Sequence, residues 1–211
     1  MAYYPIFLEL QNRRCVVIGG GPPAEGKVAG LLAAGASVTV VTPEVTAELA
    51  RRAQNGEITH NAKRYETGDL AGFEVVFAAT DDEAVNSAVT HEARQRGVWI
   101  NVADSPLRSD FILPSVLRRG GVTIAISTGG KSPALARMIR EDVESHLPEN
   151  LGLLLEVASQ VREELRQRGL AVGYDLWREA LRGEVRAQVE RAGVAAAKEF
   201  LLKELEARAC R

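Results

Sequence analysis

A glycine-rich turn between a predicted strand and a predicted helix most limits how this chain can fold. Residues 15–27 read CVVIGGGPPAEGK, so four apolar residues lead into three glycines, two prolines and a helical pattern. Gly19, Gly21 and Ala24 match the G-x-G-x-x-G/A spacing of a dinucleotide-binding turn, in which glycines permit the tight reversal and the close approach of a diphosphate. The alternative is a turn that only reverses the chain. The strand before it and the helix after it favour dinucleotide binding.

Strand and helix patterns alternate through the first half of the chain. Four apolar strands are predicted, at 13–18, 36–44, 73–80 and 98–104, and a weaker extended segment is predicted at 58–66. Three helices are predicted between them, at about 24–35, 44–55 and 81–97. Thr80 and Glu83 have capping-box spacing and are predicted to open the third helix. Continuously apolar strands are typical of a parallel sheet that is covered on both faces.

The pattern changes after the fourth strand. Residues 110–128 predict two short strands, or a strand and an edge, and a helix follows with Ser132 as its N-cap and Pro133 at its first position. Beyond Asn150 only helical periodicity remains, including a predicted run from about Leu176 to Leu205. The predicted fold class is therefore α/β, with a Rossmann-type parallel sheet, a small α+β segment and an all-helical C-terminal region, at residues 1–113, 114–149 and 150–211.

Apolar residues after Asn150 form a stripe at helical spacing. This stripe is predicted to face a core, and its members are Leu151, Leu154, Leu155, Ala158, Val161 and Leu165.

Composition narrows the class of function. The chain has 211 residues, is 46% hydrophobic and carries a net charge of −2, which argues against electrostatic attraction of the whole molecule to nucleic acid or anionic lipid. No run of apolar residues is long enough for a membrane helix, and the first residues lack the features of a secretory signal. Cys15 and Cys210 are predicted to be free thiols of a reducing compartment. We expect a cytoplasmic protein that binds neither nucleic acid nor a membrane.

The acidic residue expected to bind the ribose of a dinucleotide lies one or two positions later in the chain than the usual place. It should lie at the end of the second strand, where this chain has Thr42, Pro43 and Glu44. Two interpretations stay open: Glu44 binds the ribose, or it lies in the first turn of the next helix, where acidic side chains are favoured. No arginine follows this strand before Arg51, which favours NAD over NADP.

A carboxylate at the end of the fourth strand is the candidate for chemistry. Asp104 is followed by Ser105 and Pro106, and ligands of open parallel sheets bind beyond the carboxyl ends of the strands. A carboxylate at this position can accept a proton while a hydride leaves for a nicotinamide. Asp104 could instead cap the turn that follows it, and the sequence leaves both interpretations open.

Cations and glycines further along the chain suit an anionic substrate. Arginines on a solvated helix face are the ordinary explanation for such cations, but several of them near a glycine turn also suit a ligand with many carboxylates. The segment STGGKSP, at 127–133, has the composition of a second anion-binding turn. The expected substrate contacts are Arg108, Thr128, Gly129, Lys131, Ser132 and Arg137. The three histidines are scattered, at positions 60, 91 and 146, and we predict no metal site.

Several segments together resemble a known family. The runs at 19–44, 78–86, 101–115 and 124–141 resemble the precorrin-2 dehydrogenase and sirohydrochlorin ferrochelatase proteins of siroheme synthesis, over about residues 4–150. The resemblance implies that NAD oxidises precorrin-2, a tetrapyrrole with many carboxylates, to sirohydrochlorin. In many members of the family Fe²⁺ is then inserted at the same site. It also implies a homodimer in which the central segments intertwine.

The resemblance implies roles for particular residues. Asp104 matches an essential aspartate, the proton acceptor proposed for dehydrogenation and for chelation. The residues that match the cofactor turn and its two neighbouring loops are Gly19, Gly20, Gly21, Pro22, Pro23, Thr42, Pro43, Glu44, Ala79 and Thr80.

Two positions depart from the family pattern. Thr128 stands where many members have a serine that is phosphorylated in some fused proteins, so phosphorylation is not carried over to this chain. Pro23 removes one N–H group that could have bound a phosphate.

Two other functions stay open at this stage. One is an NAD-sensing regulatory module without catalysis, which needs no base at a strand end. The other is an NAD-dependent oxidoreductase of a smaller substrate, which would need fewer cations.

Overall fold

The computed structural model describes residues 3–209 and divides into two compact units. The first unit ends at Leu113 and the second begins at Pro114. The sequence predicted three parts, and that finer division stays a prediction. Cys210, predicted to be a free thiol, lies outside the described residues.

A five-stranded parallel sheet forms the centre of the first unit. Its strands are β1 Arg14–Ile18, β2 Ser37–Val41, β3 Thr59–Asn61, β4 Val75–Ala78 and β5 Trp99–Val102. Its helices are α1 Pro22–Ala33, α2 Ala47–Gln54 and α3 Glu83–Arg96, and a short 3₁₀ turn follows at Pro106–Arg108. The spatial order β3-β2-β1-β4-β5 is the strand order of a Rossmann fold, which confirms the predicted fold class.

The sheet is buried on both faces. Successive side chains of a strand point to opposite sides, so Val17 lies in one hydrophobic core while Val16 and Ile18 lie in the other. Phe77 belongs to the first core and packs edge-to-face on Phe111, with the ring centroids 5.6 Å apart. Burial on two faces explains why the central strands β1 and β4 are apolar without a break over residues 15–18 and 75–78.

The start of α3 differs from the prediction. Asp82, not Thr80, is the N-cap, because its Oδ1 accepts hydrogen bonds from the N–H groups of Ala84 and Val85 at 3.0 and 3.2 Å. The Oγ1 of Thr80 accepts from the N–H of Asp82 instead. The predicted capping box of Thr80 and Glu83 was therefore wrong, since a carboxylate lies closer to the first free N–H groups of the helix.

A buried carboxylate of α3, that of Glu92, binds the segment between β3 and β4 through hydrogen bonds. Glu92 is almost fully buried and accepts hydrogen bonds from the Tyr65 hydroxyl at 2.5 Å, the Gly68 N–H at 2.9 Å and the Arg96 guanidinium at 2.6 Å. These three donors stabilise its charge inside the unit.

The second unit is a hairpin followed by helices. Its elements are β6 Ser115–Arg119, β7 Val122–Ile126, α4 Pro133–His146, α5 Leu151–Gln167, α6 Tyr174–Arg182 and α7 Val185–Ala209. The two strands pair antiparallel, and Ser132 caps α4 by accepting a hydrogen bond from the Leu135 N–H at 3.2 Å, as predicted. The single helical run predicted from Leu176 to Leu205 was wrong. Gly183 separates α6 from α7, and a non-helical Gly193 interrupts α7, because glycine tolerates both conformations.

The helices of the second unit share one core. The buried positions of α5 are Leu154, Val157, Val161 and Leu165, and they pack with buried residues of α6 and α7. The predicted stripe is confirmed at Leu154, Val161 and Leu165, whereas Leu155 is exposed. Among residues 3–209, none of the helices combines the length and apolar character that a membrane crossing requires.

Candidate functional site

The glycine turn lies at the carboxyl edge of the sheet, between the loops that follow β2 and β4. The N–H of Gly19 donates to the carbonyl of Val41 at 3.1 Å. The carbonyl of Gly20 accepts from the N–H of Thr46 at 3.0 Å. Both bonds tie the turn to the segment after β2, so the backbone of the turn is held in place before any ligand binds.

Two of the three glycines have no room for a side chain. A Cβ on Gly19, where φ is +118°, would lie 2.2 Å from the carbonyl oxygen of Ala79. On Gly20 it would lie 2.2 Å from the carbonyl oxygen of Glu44 and 2.7 Å from Cγ2 of Thr42. These glycines are therefore required by the contact of three loops, whatever binds there.

Gly21 differs from the two glycines before it. The nearest atom to a Cβ on Gly21 would be Cδ of Pro23, at 3.7 Å. This open side is the space that the approach of a diphosphate to the backbone requires. The fully buried Ala24 follows on the sheet-facing side of α1.

Few N–H groups remain free for a phosphate at the start of α1. Pro22 and Pro23 occupy its first two positions and carry no N–H, and the N–H of Ala24 donates to the carbonyl of Gly21 at 2.9 Å. The N–H groups of Gly20 and Gly21 have no acceptor among the described residues. These two donors, together with the positive end of the helix dipole, fit the diphosphate of a dinucleotide.

The loop after β2 is ordered by its own hydrogen bonds. The Thr42 hydroxyl donates to the carbonyl of Glu44 at 3.1 Å, and the His60 Nε2 lies 3.0 Å from the carbonyl of Thr42. Because α2 begins only at Ala47, Glu44 lies outside the helix, and the interpretation that placed it in the first helical turn was wrong. Its side chain is exposed beyond the end of β2.

His60 is a residue of this edge that the sequence patterns did not predict there. It lies in β3, next to β2, and is half-buried. The Thr42 carbonyl can only accept, so the ring donates from Nε2 and braces the loop that carries Glu44. The feature that could have indicated this role is the position of His60 near the end of β3, which runs parallel to β2. His91 and His146 are exposed on α3 and α4.

The loop after β4 closes the third side of the turn. Ala79 is buried against Gly19, and the Asn86 side chain donates to the carbonyl of Thr80 at 2.9 Å.

Among residues 3–209, no group of three or more His, Cys, Asp or Glu side chains could hold a metal ion.

Asp104 lies beyond β5 at the same edge of the sheet. Its backbone is left-handed, with φ +56°, and its side chain is exposed. The turn around it is closed by Ser109, whose Oγ accepts from the Val102 N–H and donates to the carbonyl of Ser105, both at 2.9 Å. The carboxylate of Asp104 has no hydrogen-bond partner among the described residues, so it does not cap that turn and is free to act on a ligand.

The cationic residues predicted to bind the substrate differ in whether they already form ion pairs. Arg108 forms an ion pair with Glu83 of α3, and Arg137 pairs with Glu141 at 2.8 Å. Lys131 is exposed and forms no ion pair within residues 3–209. Arg108 belongs to the first unit, whereas Lys131 and Arg137 belong to the second.

The segment STGGKSP is a turn closed on itself. The Thr128 hydroxyl donates to the carbonyl of Ser132 and accepts from the Ser132 N–H, both at 3.0 Å. Gly129 and Gly130 have positive φ angles of +64° and +77°, which explains the two glycines. This turn lies in the second unit with β7 before it and α4 after it.

A second residue of the first unit was missed. Lys27 is half-buried on α1. Burial lowers the pKa of its ammonium group, while the negative charge of Asp104 raises it. The carboxyl edge therefore combines the glycine turn, the loops after β2 and β4, and a carboxylate with a lysine in its field.

Two family models match this chain. Residues 6–115 match a family described as NAD(P)-binding, and residues 119–146 match one described as sirohaem biosynthesis protein, central. The first match includes the glycine turn, the loops beside it and Asp104.

Full-length relatives and a solved structure agree with these matches. The siroheme synthase of Methylobacillus flagellatus is 42% identical over 192 residues, which are 90% of this chain and 41% of that protein. The siroheme synthase of Photorhabdus laumondii is 38% identical over 208 residues, 98% of this chain and 44% of that protein. The chain thus spans about two fifths of the length of these curated relatives. The structure of SirC, precorrin-2 dehydrogenase, is 28% identical with a TM-score of 0.73, and the match covers 97% of this chain and 100% of that one.

Proposed function

Because this chain belongs to the family of siroheme synthase N-terminal domains, we propose that it oxidises precorrin-2 to sirohydrochlorin with NAD⁺ as the acceptor. One observation carries the proposal. A free carboxylate, Asp104, and a glycine turn with open space at Gly21 lie at the same edge of one parallel sheet. That is the arrangement a dehydrogenase needs, because the proton acceptor and the hydride acceptor must reach the same substrate.

The oxidation removes one hydride and one proton from the substrate. NAD⁺, when bound, accepts the hydride. Asp104 accepts the proton, since its carboxylate is not occupied by the protein itself. The pinned turn around Ser109 holds Asp104 in its left-handed conformation, so the base is positioned before the substrate arrives.

Residues of the glycine turn and of the loop after β2 support NAD as the cofactor. We infer that the N–H groups of Gly20 and Gly21 bind the diphosphate, and that Glu44 binds the ribose hydroxyls. An exposed carboxylate beyond β2 suits the hydroxyls of NAD and would repel the additional phosphate of NADP. Binding of both dinucleotides, measured by titration of wild type and Glu44→Gln, tests this. We expect the variant to lose most of the discrimination.

The remaining site residues stay proposals of the same kind. We infer that the closed turn at Thr128 and Gly129, with Lys131, Ser132 and Arg137, contacts carboxylates of the tetrapyrrole. Arg108 would do so only if it leaves Glu83.

The experiment is an anaerobic absorbance assay with enzymatically made precorrin-2 and NAD⁺. Asparagine tolerates a left-handed backbone, so Asp104→Asn removes the base with little strain. We expect a loss of at least about 100-fold in kcat with NAD⁺ binding retained. Asp81→Ala, which removes an exposed carboxylate from the loop after β4, is the matched control and should remain active. A wild-type protein that binds NAD⁺ but never oxidises precorrin-2 would favour the NAD-sensing module.

Iron insertion is a second proposed reaction of the same site. A free, exposed carboxylate can accept the two pyrrole N–H protons that Fe²⁺ replaces one after the other, releasing the first to water before it takes the second. Fe²⁺ added to sirohydrochlorin with wild type and Asp104→Asn tests this in the same cuvette. An uncatalysed rate in both would reject it.

We also propose a homodimer that forms through the hairpin region. An isolated two-stranded sheet is marginally stable, and Leu135 and Met138 of α4 expose much of their side chains. Light scattering after size exclusion would reject the dimer if the mass is that of one chain.

The cytoplasm stays the proposed location. Cys15 is a buried free thiol of β1, which supports a reducing compartment.

A further inference from the structure

Lys27 has an unusual position on α1. It lies three residues after Ala24 and four before Leu31, which are both buried against the sheet, so it flanks their stripe. Helical side chains incline towards the N-terminus of their helix. For α1 that end is the carboxyl edge of the sheet, where Gly19 meets Ala79.

The ammonium group of Lys27 is not neutralised by the protein. It forms neither an ion pair nor a hydrogen bond with any residue between 3 and 209. Lys131 is also unpaired among the described residues but is exposed, whereas Arg108 pairs with Glu83 and Arg137 with Glu141. Lys27 is therefore a half-buried cation that remains available to an anion.

Asp104 lies beyond β5 at the same edge of the sheet, and it forms no ion pair with Lys27. The pKa of Lys27 agrees with this placement, because burial lowers it while the negative charge of Asp104 raises it. Two opposite charges that are not joined to each other can both contact one ligand. Because Lys27 is half-buried, its charge is screened less than a charge on an open surface.

A substrate with many carboxylates is repelled by an ionised Asp104. A cation beside that base offsets the repulsion and gives one substrate carboxylate a partner. We propose that Lys27 binds a carboxylate of the tetrapyrrole and so holds the ring next to Asp104, as a positioning residue. This inference rests on the proposed function, and it names the substrate contact that the first unit supplies.

Equilibrium binding of sirohydrochlorin, the proposed product, tests the inference without turnover. The variants are Lys27→Met, which keeps the length and removes the charge, and Lys27→Arg, which keeps the charge. Arg94→Met is the matched control, because Arg94 is exposed in the last turn of α3 and therefore near the opposite edge of the sheet. NAD⁺ binding and the thermal midpoint are measured for each variant.

We expect Lys27→Met to raise the Kd for sirohydrochlorin about tenfold or more, since hydrogen bonds to charged groups contribute on this scale. Lys27→Arg should recover most of the affinity, and Arg94→Met should change nothing. The Kd for NAD⁺ should stay within about twofold of wild type in all variants.

Other results overturn the inference. If Lys27→Met raises the Kd for NAD⁺ as much as the Kd for sirohydrochlorin, Lys27 binds the diphosphate of the dinucleotide instead. Equal losses in Lys27→Met and Lys27→Arg with lowered thermal midpoints would mean a structural role. Unchanged sirohydrochlorin binding in Lys27→Met, or no binding by wild type, would also reject it. If wild type binds sirohydrochlorin through Lys27 but does not oxidise precorrin-2, the proposed dehydrogenase fails and this inference stands.

Discussion

Replacing Gly20 by alanine tests whether the glycine turn is built for loop packing. The new methyl group would lie 2.2 Å from the carbonyl oxygen of Glu44 and 2.7 Å from Cγ2 of Thr42. Ordinary contacts are about 3.5–4 Å, so the loop after β2 must move by more than about 1 Å. That movement strains the hydrogen bond from the Thr42 hydroxyl to Glu44 and the bond from Thr46 to Gly20.

The magnitude follows from these contacts. Overpacking costs about 1–3 kcal/mol, and each weakened hydrogen bond adds about 0.5–1.5 kcal/mol. We expect Gly20→Ala to lower the free energy of unfolding of the first unit by about 2–6 kcal/mol. Two controls use the same substitution. Gly21→Ala meets its nearest atom at 3.7 Å and should leave stability unchanged while weakening NAD⁺ binding. Gly30→Ala, on an open face of α1, should stabilise by about 0.5–1 kcal/mol.

Fluorescence of a single tryptophan isolates the first unit. Trp99 lies in β5, and Trp177 lies in α6 of the second unit, so a Trp177→Phe background leaves Trp99 as the reporter. Urea unfolding of the variants in this background gives the difference in free energy. The packing argument is refuted if Gly20→Ala keeps the midpoint of its parent, or if Gly21→Ala is destabilised as much as Gly20→Ala.

Three further predictions concern stability and reactivity. Gly120→Ala should destabilise the second unit by about 1–3 kcal/mol, measured by urea unfolding, because φ is +57° and the new Cβ would lie 2.8 Å from Cα of Gly152. Tyr65→Phe should cost about 1.5–3 kcal/mol at pH 7, because it removes a hydrogen bond to ionised Glu92. Burial raises the pKa of Glu92, but its hydrogen bonds outweigh burial and hold that pKa below 4.5. The difference in free energy of unfolding between Tyr65→Phe and wild type, measured against pH, should therefore narrow as the pH falls below 4.5. Burial also raises the pKa of the Cys15 thiol to about 11, so peptide mapping after alkylation at pH 8 should find this residue unmodified until the protein is unfolded.

Much of the first unit could be predicted from local patterns. The apolar runs, the glycine turn and the alternation of strands with helices each occupy short stretches, and together they predict a parallel sheet with a dinucleotide turn. Asp104 could be placed at the carboxyl edge for the same reason, since the end of a strand can be read from the sequence. The start of α3 could not, because Asp82 and Thr80 are both good N-caps and only the path of the backbone selects one.

Local patterns in the sequence predict the element order of the first unit, its parallel sheet, and the place of the glycine turn and of Asp104 at the carboxyl edge. Local periodicity and backbone preference encode these features in neighbouring residues. No local pattern shows that Gly20 packs on Glu44, that Arg108 pairs with Glu83, or that the charge of Asp104 raises the pKa of Lys27. These pairs are separated by 24, 25 and 77 positions in the chain. Contacts of this kind depend on how far each loop extends beyond its strand and on where a side chain points, and no local pattern records either.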